Sequence, residues 1–409
     1  MTSLCRHCRA SMPHLFLDLG HAPPSNAFLA PEDLNAPEMT FPLRLRVCDA
    51  CHLVQTEDYA NAHLLFDKDY AYYSSTSQNW LDHASQYCND VLWRFGLGKN
   101  SYVIEIASND GYLLRNFLAA GVPCLGIEPT RSTAAAAVAL GVPTQCDFFG
   151  EDLGRSLAEQ GRQADLIVGN NVYAHVPDIN DFTKGIAAAL KPEGVVTLEF
   201  QHLMRLVEQC QFDTVYHEHF SYLSLISVRR IFEYAGLRIF DVEELSTHGG
   251  SLRIYGCHKT AGHMTRLTVE EVIVEEQARG MQGFAFYEGF QVRAESVKNA
   301  FLSFLLDAKR DGRSVAGYAA SAKGNTLLNF AGIKPDLLPF ICDAAPSKQG
   351  KWTPGSHIPI LPPKELTRRR PDFILILSWN IVSEIKSQLV HLSQAGSKFV
   401  TAVPEINIG

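Results

Sequence analysis

The chain has 409 residues, of which 46% are hydrophobic and 20% charged, a composition typical of folded globular proteins and unlike that of disordered chains. The net charge of −8 and the lack of a long Lys/Arg run exclude a basic nucleic-acid-binding surface as the main feature. The N-terminus lacks a signal-peptide pattern and no apolar run approaches membrane-spanning length, so we expect a cytoplasmic protein whose partners include neither nucleic acid nor a membrane.

A chain of this length is longer than a single hydrophobic core usually accommodates, so we expect two large domains and a small additional one. The small one is predicted at the N-terminus, where two CxxC motifs, Cys5–Cys8 and Cys48–Cys51, are separated by 39 residues. Each motif offers two thiolates on a tight turn, and zinc prefers four such ligands in a tetrahedron. Four free thiols or a redox pair are the alternatives. The paired spacing favours a structural zinc site made of Cys5, Cys8, Cys48 and Cys51, with no open position for a substrate.

The pattern of residues 102–128 predicts a strand, a turn, a helix and a second strand that ends in an acid. The turn is Ser108–Gly111 and the acid is Glu128. We expect a doubly wound sheet with its ligand at the carboxyl ends of the strands. A GxGxxG fingerprint is absent, which disfavours NAD. An acidic first turn suits a ligand with an ammonium group, and Glu128 suits a bidentate contact with ribose hydroxyls.

Three further stretches agree with this reading. Cys146–Phe149 offers an acid and a ring for an adenine, Ala164–Val168 with Asn170–His175 predicts a fourth strand and its loop, and Leu190–Glu199 predicts a turn and a fifth strand. In this order they resemble the class I S-adenosylmethionine-dependent methyltransferases. The resemblance implies that the following residues contact the cofactor: Glu105, Ser108, Asn109, Asp110, Gly111, Glu128, Pro129, Asp147, Phe148, Phe149, Asn170 and Asn171.

The stretch FDTVYHEHFSYLSL, residues 212–225, places two histidines around a glutamate among aromatic rings. A metal site is disfavoured because no partner ligands lie at a recognisable spacing. A base and a polar helix edge with packed rings remain as alternatives. If the stretch is helical, Tyr216, His219 and Tyr222 share one face, and if it is extended they do not.

The C-terminal region predicts a long helical segment over 269–310, with Gly280, Gly283 and Gly289 as possible breaks, and then a second α/β unit. The strand Ser314–Tyr318 is followed by a turn of small residues, Ala319–Asn325, and a helix. Small residues let the backbone approach a phosphate, and the helix N-terminus and Lys323 add positive potential. A second nicotinamide-binding domain is the competing interpretation, disfavoured by the absence of GxGxxG.

Taken together, the four-cysteine module, the methyltransferase pattern, YHEHF, Thr247–Gly250, GYAASAKG and DAAPSKQG resemble the nucleotide-sugar C-methyltransferases over essentially the full chain. The resemblance implies a zinc module (1–68), a class I methyltransferase domain (69–245) and a Rossmann-like nucleotide-sugar-binding domain (246–409). It also implies S-adenosylmethionine-dependent C-methylation, at C3, of a 4-keto-6-deoxyhexose linked to a nucleotide such as dTDP.

Forming an enolate beside a ketone requires a base of near-neutral pKa, a donor for the oxyanion and a dry site. The resemblance assigns the base to His219. Glu218 orients that ring or binds substrate, Tyr216 and Tyr222 donate to sugar oxygens, and His175 completes the pocket unless it is a core histidine. The resemblance also implies that Tyr72 lines the site while Ser74 and Ser75 reach the cofactor, although a linker packed on the sheet is an equal alternative. The implied substrate contacts are His248, Gly249, Lys323, Asn325 and Lys348, with solvent-exposed lysines as the alternative for Lys323 and Lys348.

Two other functions remain open from the sequence. A methyltransferase of the same fold acting on oxygen or nitrogen of a small metabolite needs no carbon deprotonation, and a zinc-stabilised scaffold without catalysis needs no S-adenosylmethionine. No coiled-coil or repeat pattern appears, so a monomer is expected.

Overall fold

The computed structural model describes residues 4–57, 59 and 73–409, which form three β-sheets. The predicted active-site residue Tyr72 lies outside the described residues. No helix in these ranges has the length and apolarity needed to cross a membrane.

The N-terminal sheet is antiparallel and small. Its strands are β1 (His14–Ala22), β2 (Phe41–Val47) and β3 (Val54–Thr56), each paired with the next. The two-residue strand β9 (Ser221–Tyr222) pairs with β3 from much later in the chain. The strand that follows the YHEHF stretch therefore belongs to the sheet of the four-cysteine module.

The central sheet has seven strands in the order β10-β11-β8-β7-β4-β5-β6. Their bounds are β4 (Val103–Ile106), β5 (Cys124–Ile127), β6 (Thr144–Gln145), β7 (Ala164–Asn170), β8 (Leu190–Gln201), β10 (Leu237–Leu245) and β11 (Ser251–His258). Strands β4 to β8 run parallel, and β4 and β5 are buried along their whole length, whereas β11 is antiparallel to β8 and β10. The predicted class I methyltransferase architecture is confirmed.

The predicted boundary after residue 245 lies between β10 and β11. Since these strands form one antiparallel hairpin of the central sheet, we propose that the central domain extends to His258.

The helices around this sheet connect its strands. They are α1 (Gln78–Phe95), α2 (Leu114–Ala119), α3 (Arg131–Ala139), α4 (Glu151–Glu159), α5 (Ile179–Ala189), α6 (Leu203–Glu208) and α7 (Leu225–Tyr234). Ser77 caps the start of helix α1 by accepting from the Trp80 amide, and Gly96 in the left-handed region caps its end.

The C-terminal sheet has the order β14-β13-β12-β15-β16-β17, parallel except for its last strand. Its strands are β12 (Val315–Tyr318), β13 (Ile341–Cys342), β14 (Ile360–Leu361), β15 (Phe373–Ile376), β16 (Lys398–Thr401) and β17 (Asn407–Ile408). Its helices are α8 (Leu267–Ala278), α9 (Phe290–Arg310), α10 (Ala322–Phe330), α11 (Lys364–Arg369), α12 (Val382–Gln388) and α13 (Val390–Gln394). The predicted second α/β unit is present, and the three glycines lie between α8 and α9.

Buried apolar side chains connect the three sheets. One cluster joins Phe16 and Leu45 of the N-terminal sheet to Phe290 of α9 and Leu327 of α10, and it includes Phe212 and Val215 of the YHEHF region. A second cluster joins the cysteines Cys5 and Cys48 to the central sheet. The segment that carries YHEHF therefore lies where all three parts of the chain meet.

Candidate active site

The YHEHF stretch is a turn and not a helix. A 3-10 turn over Phe212–Thr214 precedes it, and β9 follows it. The tyrosine and histidine rings nevertheless cluster, with the His219 ring centroid 4.0 Å from that of Tyr216 and 5.9 Å from that of Tyr222. The His175 ring lies edge-on to His219 at 4.5 Å. Four of the six predicted catalytic residues, Tyr216, His219, Tyr222 and His175, therefore form one group.

The His219 ring is held in a defined orientation by the backbone. Its Nδ1 lies 3.1 Å from the carbonyl oxygen of Thr214, and a carbonyl can only accept, so Nδ1 carries the hydrogen and Nε2 has the free lone pair. Burial lowers the pKa of His219 well below its usual 6.5, and the neighbouring His175 and Lys323 lower it further. A neutral imidazole with a free Nε2 is the form that accepts a proton.

The pKa of His175 is also lowered by burial, to about 4. Burial raises the pKa of Tyr222 far above 10, so this phenol keeps its proton. The Tyr222 hydroxyl oxygen accepts from the Tyr216 amide at 3.3 Å, which leaves the hydroxyl hydrogen for another acceptor. The cluster thus combines neutral imidazoles with a protonated hydroxyl donor.

The Glu218 carboxylate is buried, with 1% of the residue exposed. Its two oxygens accept from Asn26 Nδ2 at 2.9 and 2.8 Å. His217, by contrast, is buried with its Nε2 3.3 Å from the Phe41 carbonyl oxygen, a contact with the N-terminal sheet. Within the stretch, Tyr216 therefore packs against His219, Glu218 contacts Asn26, and His217 packs against β2.

The Thr247–Gly249 turn brings His248 to the ends of β7 and β8. His248 Nε2 lies 3.1 Å from Asn171 Nδ2, and both residues have positive φ, 54° and 53°. Burial and the charge of Lys323 lower the pKa of His248 to about 4. A Cβ on Gly249, at φ 86°, would lie 2.4 Å from the Trp379 ring, so this position requires glycine.

The cofactor residues predicted around the first turn form one hydrogen-bonded unit. Glu128 is 4% exposed, and its carboxylate accepts from the amides of Asn109 and Thr130, both at 2.9 Å. Ser74 and Ser75 donate their backbone amides to Asn109 Oδ1 at 3.0 Å and Asp110 Oδ2 at 3.2 Å. The segment before α1 therefore closes on the turn through its backbone.

Several buried polar atoms at this edge have no hydrogen-bond partner among the described residues. They are Glu105 Oε2, Ser108 Oγ, Asp110 Oδ1 and both amide atoms of Asn170. Burial, Glu128 and Asp110 raise the pKa of Glu105 well above its usual value. Two neighbouring carboxyl groups with orphaned oxygens, Glu105 and Asp110, fit the ammonium group of S-adenosylmethionine.

The remaining predicted cofactor residues lie further along the same edge. Asp147 and Phe148 are exposed, with 47% of Phe148 accessible. The Pro129 carbonyl accepts from Cys146 Sγ at 3.5 Å. Phe149 packs edge-on against Phe182 of α5 at 5.4 Å, which makes it a packing contact. Gly111, at φ 78°, lies where a Cβ would meet Val142 at 2.9 Å.

Lys323, in the first turn of α10, lies near the histidines and is not a solvated surface lysine. Burial lowers its pKa, an effect that the Asp213 carboxylate opposes. Its positive charge also lowers the pKa values of His219 and His248.

The other two predicted substrate contacts make structural hydrogen bonds. Lys348 Nζ donates to the Ala320 carbonyl at 2.8 Å and lies 3.7 Å from Asp343. Asn325 is buried and donates from Nδ2 to the Ser25 carbonyl at 2.7 Å, while its Oδ1 has no partner among the described residues.

The sequence interpretation missed four residues that contact this group. Trp379 Nε1 donates to the buried Asp213 at 2.7 Å, and burial raises the pKa of Asp213 to about 6. The Trp80 ring lies 5.3 Å from that of His248. Asn26 contacts Glu218. The apolar run of β15 just before Trp379 is a signal for that residue, because ligands lie beyond the carboxyl ends of parallel strands, whereas no local pattern marks Asn26.

The four cysteines of the N-terminal module converge. Their sulfurs all lie within 4.8 Å of one another, and the pairs Cys5–Cys51 and Cys8–Cys48 are each 3.4 Å apart. A zinc ion with four thiolates at about 2.3 Å places its sulfurs about 3.8 Å apart. The donor set fits structural zinc, in a closed site.

Comparison with known proteins gives matches along the whole chain. Models of three domains match: the zinc-binding domain over residues 5–66, the methyltransferase domain over 80–242 and the C-methyltransferase C-terminal domain over 246–404. The C-methyltransferase NovU of Streptomyces niveus is 34% identical over 401 residues, covering 98% of this chain and 95% of NovU.

Two solved structures match part of the chain. Magnesium protoporphyrin IX methyltransferase of Synechocystis, with bound S-adenosylmethionine, is 14% identical with a TM-score of 0.35, covering 50% of this chain and 100% of that one. An S-adenosylmethionine-dependent methyltransferase of Mesorhizobium loti is 14% identical with a TM-score of 0.35, covering 43% of this chain and 99% of that one.

Proposed function

Since this chain belongs to the family of S-adenosylmethionine-dependent C-methyltransferases with an N-terminal zinc-binding domain, we propose that it methylates C3 of a nucleotide-linked 4-keto-6-deoxyhexose. We take the nucleotide to be dTDP and the product to serve branched-chain deoxysugar synthesis. The observation that carries the proposal is the neutral His219 imidazole, with Nδ1 fixed by Thr214 and Nε2 free, at the meeting point of the three domains.

In this proposal His219 Nε2 removes the proton from C3. The C3–H bond breaks, its electron pair forms the C3–C4 double bond, and the C4 carbonyl oxygen becomes the enolate oxygen. The low pKa of His219 matters because only the neutral ring accepts a proton. S-adenosylmethionine, when bound, supplies an electrophilic methyl group for the carbon nucleophile.

The enolate oxygen needs donors that retain their hydrogens. The Tyr222 hydroxyl is the first candidate because its pKa is strongly raised and its oxygen accepts from the Tyr216 amide, which leaves the hydroxyl hydrogen to be donated. The Lys323 cation lowers the pKa values of His219 and His248, so its charge reaches the pocket. There it stabilises the negative charge of the enolate or of the adjoining phosphate. His175 packs against the base and limits its rotation.

The residues proposed for the cofactor are those with orphaned polar atoms at the ends of β4 and β7, together with Glu128. The C-terminal domain is proposed to hold the nucleotide diphosphate, with Lys323 and the start of α10 facing the sugar side. We further propose that the enzyme acts as a monomer in the cytoplasm.

The test is mass spectrometry of nucleotide 4-keto-6-deoxyhexoses after incubation with the protein and S-adenosylmethionine in heavy water. The proposal predicts a methyl gain on one sugar, at a carbon that exchanges its hydrogen for deuterium. A methyl group found on oxygen or nitrogen, with no deuterium at any carbon, would replace this proposal by heteroatom methylation.

A further inference from the structure

The Glu199 carboxylate, near the end of β8, is held by two basic side chains and in turn holds Thr247. The residue is fully buried. Its Oε2 accepts from Arg253 of β11 at 2.7 Å and lies 2.9 Å from Nε2 of His83 in α1, while its Oε1 accepts from the Thr247 hydroxyl at 2.9 Å. Burial alone would raise the pKa of Glu199, but His83 and Arg253 lower it to about 2. The carboxylate is therefore a charged acceptor in a fixed position.

The backbone of Glu199 holds the other half of the same arrangement. Its carbonyl oxygen accepts from the Asn171 amide at 2.7 Å. Thr247 directly precedes His248, whose Nε2 lies 3.1 Å from Asn171 Nδ2. Glu199 thus fixes both members of the Asn171–His248 pair, Asn171 through its own carbonyl and His248 through the adjacent Thr247.

The pair has a backbone conformation that needs such support. Asn171 and His248 have φ of 53° and 54°, in the left-handed region that residues with a side chain rarely adopt. Such conformations persist only where the surrounding structure fixes them, and they cluster at functional sites. The amide nitrogen of Asn171 can only donate, so His248 Nε2 accepts, and the neutral ring carries its hydrogen on Nδ1. His248 also lowers the pKa of His219, so this donor lies in the pocket of the candidate base.

We propose that Thr247 is a positioning residue for methyl transfer, whose hydrogen bond to Glu199 directs the Nδ1–H of His248 at an oxygen of the bound nucleotide sugar. This inference rests on the proposed function above and adds to it a residue that acts on the substrate through His248. Without the Thr247 hydroxyl, the ring of His248 loses its fixed direction, and a hydrogen bond to the substrate is weakened.

The experiment compares the full-length wild type with Thr247→Val, which removes the donor and keeps the size of the side chain, and with Thr247→Ser, which keeps the donor. The turn should survive both changes, because Gln211 Nε2 donates to the Gly249 carbonyl at 2.7 Å and holds the main chain. We expect kcat/KM for the nucleotide sugar to fall about tenfold or more in Thr247→Val and to stay within about threefold of wild type in Thr247→Ser. Kd for S-adenosylmethionine should be unchanged in both.

Thr268→Val is the matched control. Thr268, in α8, is half-buried like Thr247, and its hydroxyl also donates to a carboxylate, that of Asp241, at 2.6 Å. We expect a similar fall in Tm for Thr268→Val and Thr247→Val, but wild-type kinetics for Thr268→Val. If Thr247→Val does not fold, Thr247→Ala removes the same donor with a smaller side chain and carries the same kinetic prediction.

Two results would overturn the positioning role. One is a folded Thr247→Val protein that turns over the sugar within about twofold of the wild type, and the other is Thr247→Ser being as slow as Thr247→Val. Failure of the proposed function has a different signature, because the wild type itself would then transfer no methyl group to carbon of any 4-keto sugar, and the role of Thr247 would fail with it.

Discussion

The rings of His175 and His219 meet edge to face with their centroids 4.5 Å apart. His175 lowers the pKa of His219, because positive charge on both rings in the same low-dielectric pocket is unfavourable. Both histidines are therefore neutral near pH 7, and one of them has its Nδ1 occupied by a backbone carbonyl. The pocket keeps an uncharged base ready beside a protonated tyrosine.

The pH dependence of catalysis follows from this lowered pKa. His219 is active when neutral, and its folded-state pKa lies well below 6.5, so kcat/KM should stay level as pH falls through 6.5 and decline only at lower pH. Initial rates between about pH 5 and pH 8 test this. An acidic limb with its midpoint at or above the usual histidine pKa would contradict it.

Stability should respond to pH in the same direction. His175 and His248 have folded pKa values of about 4, below those of the unfolded chain, so the unfolded state binds more protons between the two values. The free energy of unfolding should therefore be highest above about pH 6.5 and should decrease as pH falls towards about 4. Urea unfolding at several pH values serves as the control for the rate profile.

Glu128 should determine cofactor affinity. Its carboxylate is buried and oriented by two backbone amides, so Glu128→Gln keeps the shape and removes the charge. We expect Kd for S-adenosylmethionine to rise about 10- to 100-fold, or about 1.4 to 2.7 kcal/mol. Titration calorimetry measures it, with Glu159→Gln on the exposed end of α4 as the control. An unchanged Kd would remove Glu128 from the cofactor site.

Gly249 should tolerate no side chain. A Cβ at this position, with φ 86°, would lie 2.4 Å from the Trp379 ring, so Gly249→Ala must displace either that ring or the His248 turn. We expect a loss of kcat/KM of about tenfold or more and about 1–3 kcal/mol of stability. Gly98→Ala is the control, because a Cβ there meets nothing within 4 Å. Wild-type kinetics for Gly249→Ala would show that the turn is not needed.

The zinc site should support the fold and not the chemistry. Removing one ligand, as in Cys48→Ser, opens the four-thiolate cluster and should lower Tm and activity together while reducing bound zinc from one equivalent. Metal analysis and thermal denaturation test this. The control is Cys146→Ser, because Cys146 is exposed and lies outside the cluster. A Cys48→Ser protein with full Tm and one zinc would contradict it.

The central sheet could be predicted because several of its buried parallel strands contain short apolar runs, such as Leu166–Val168, bounded by polar residues or turns. The four cysteines could be assigned to one metal site because each CxxC motif is a local pattern of two ligands. The YHEHF conformation was not decided by spacing: a helix would also have brought Tyr216, His219 and Tyr222 together, yet the structure does so with a turn that ends in β9.

Contacts between segments far apart in the chain could not be predicted from the local sequence pattern. The pairing of Ser221–Tyr222 with β3 involves two residues, too few for a periodic pattern. Asn26 and Trp379 reach the site from the N-terminal and C-terminal domains, and their roles depend on how those domains dock. Lys323 was expected at a phosphate, and the docking of α10 places its charge beside the histidines as well.

The measurement that tests the central claim most directly is deuterium uptake at C3 of the accepted 4-keto sugar by the wild type and by His219→Asn in heavy water. Asparagine keeps a polar side chain of similar reach but cannot act as a base near neutral pH. The account predicts that His219→Asn binds the sugar and S-adenosylmethionine with wild-type affinity and loses both deuterium uptake and methyl transfer. Deuterium uptake by His219→Asn at the wild-type rate would show that another group removes the proton.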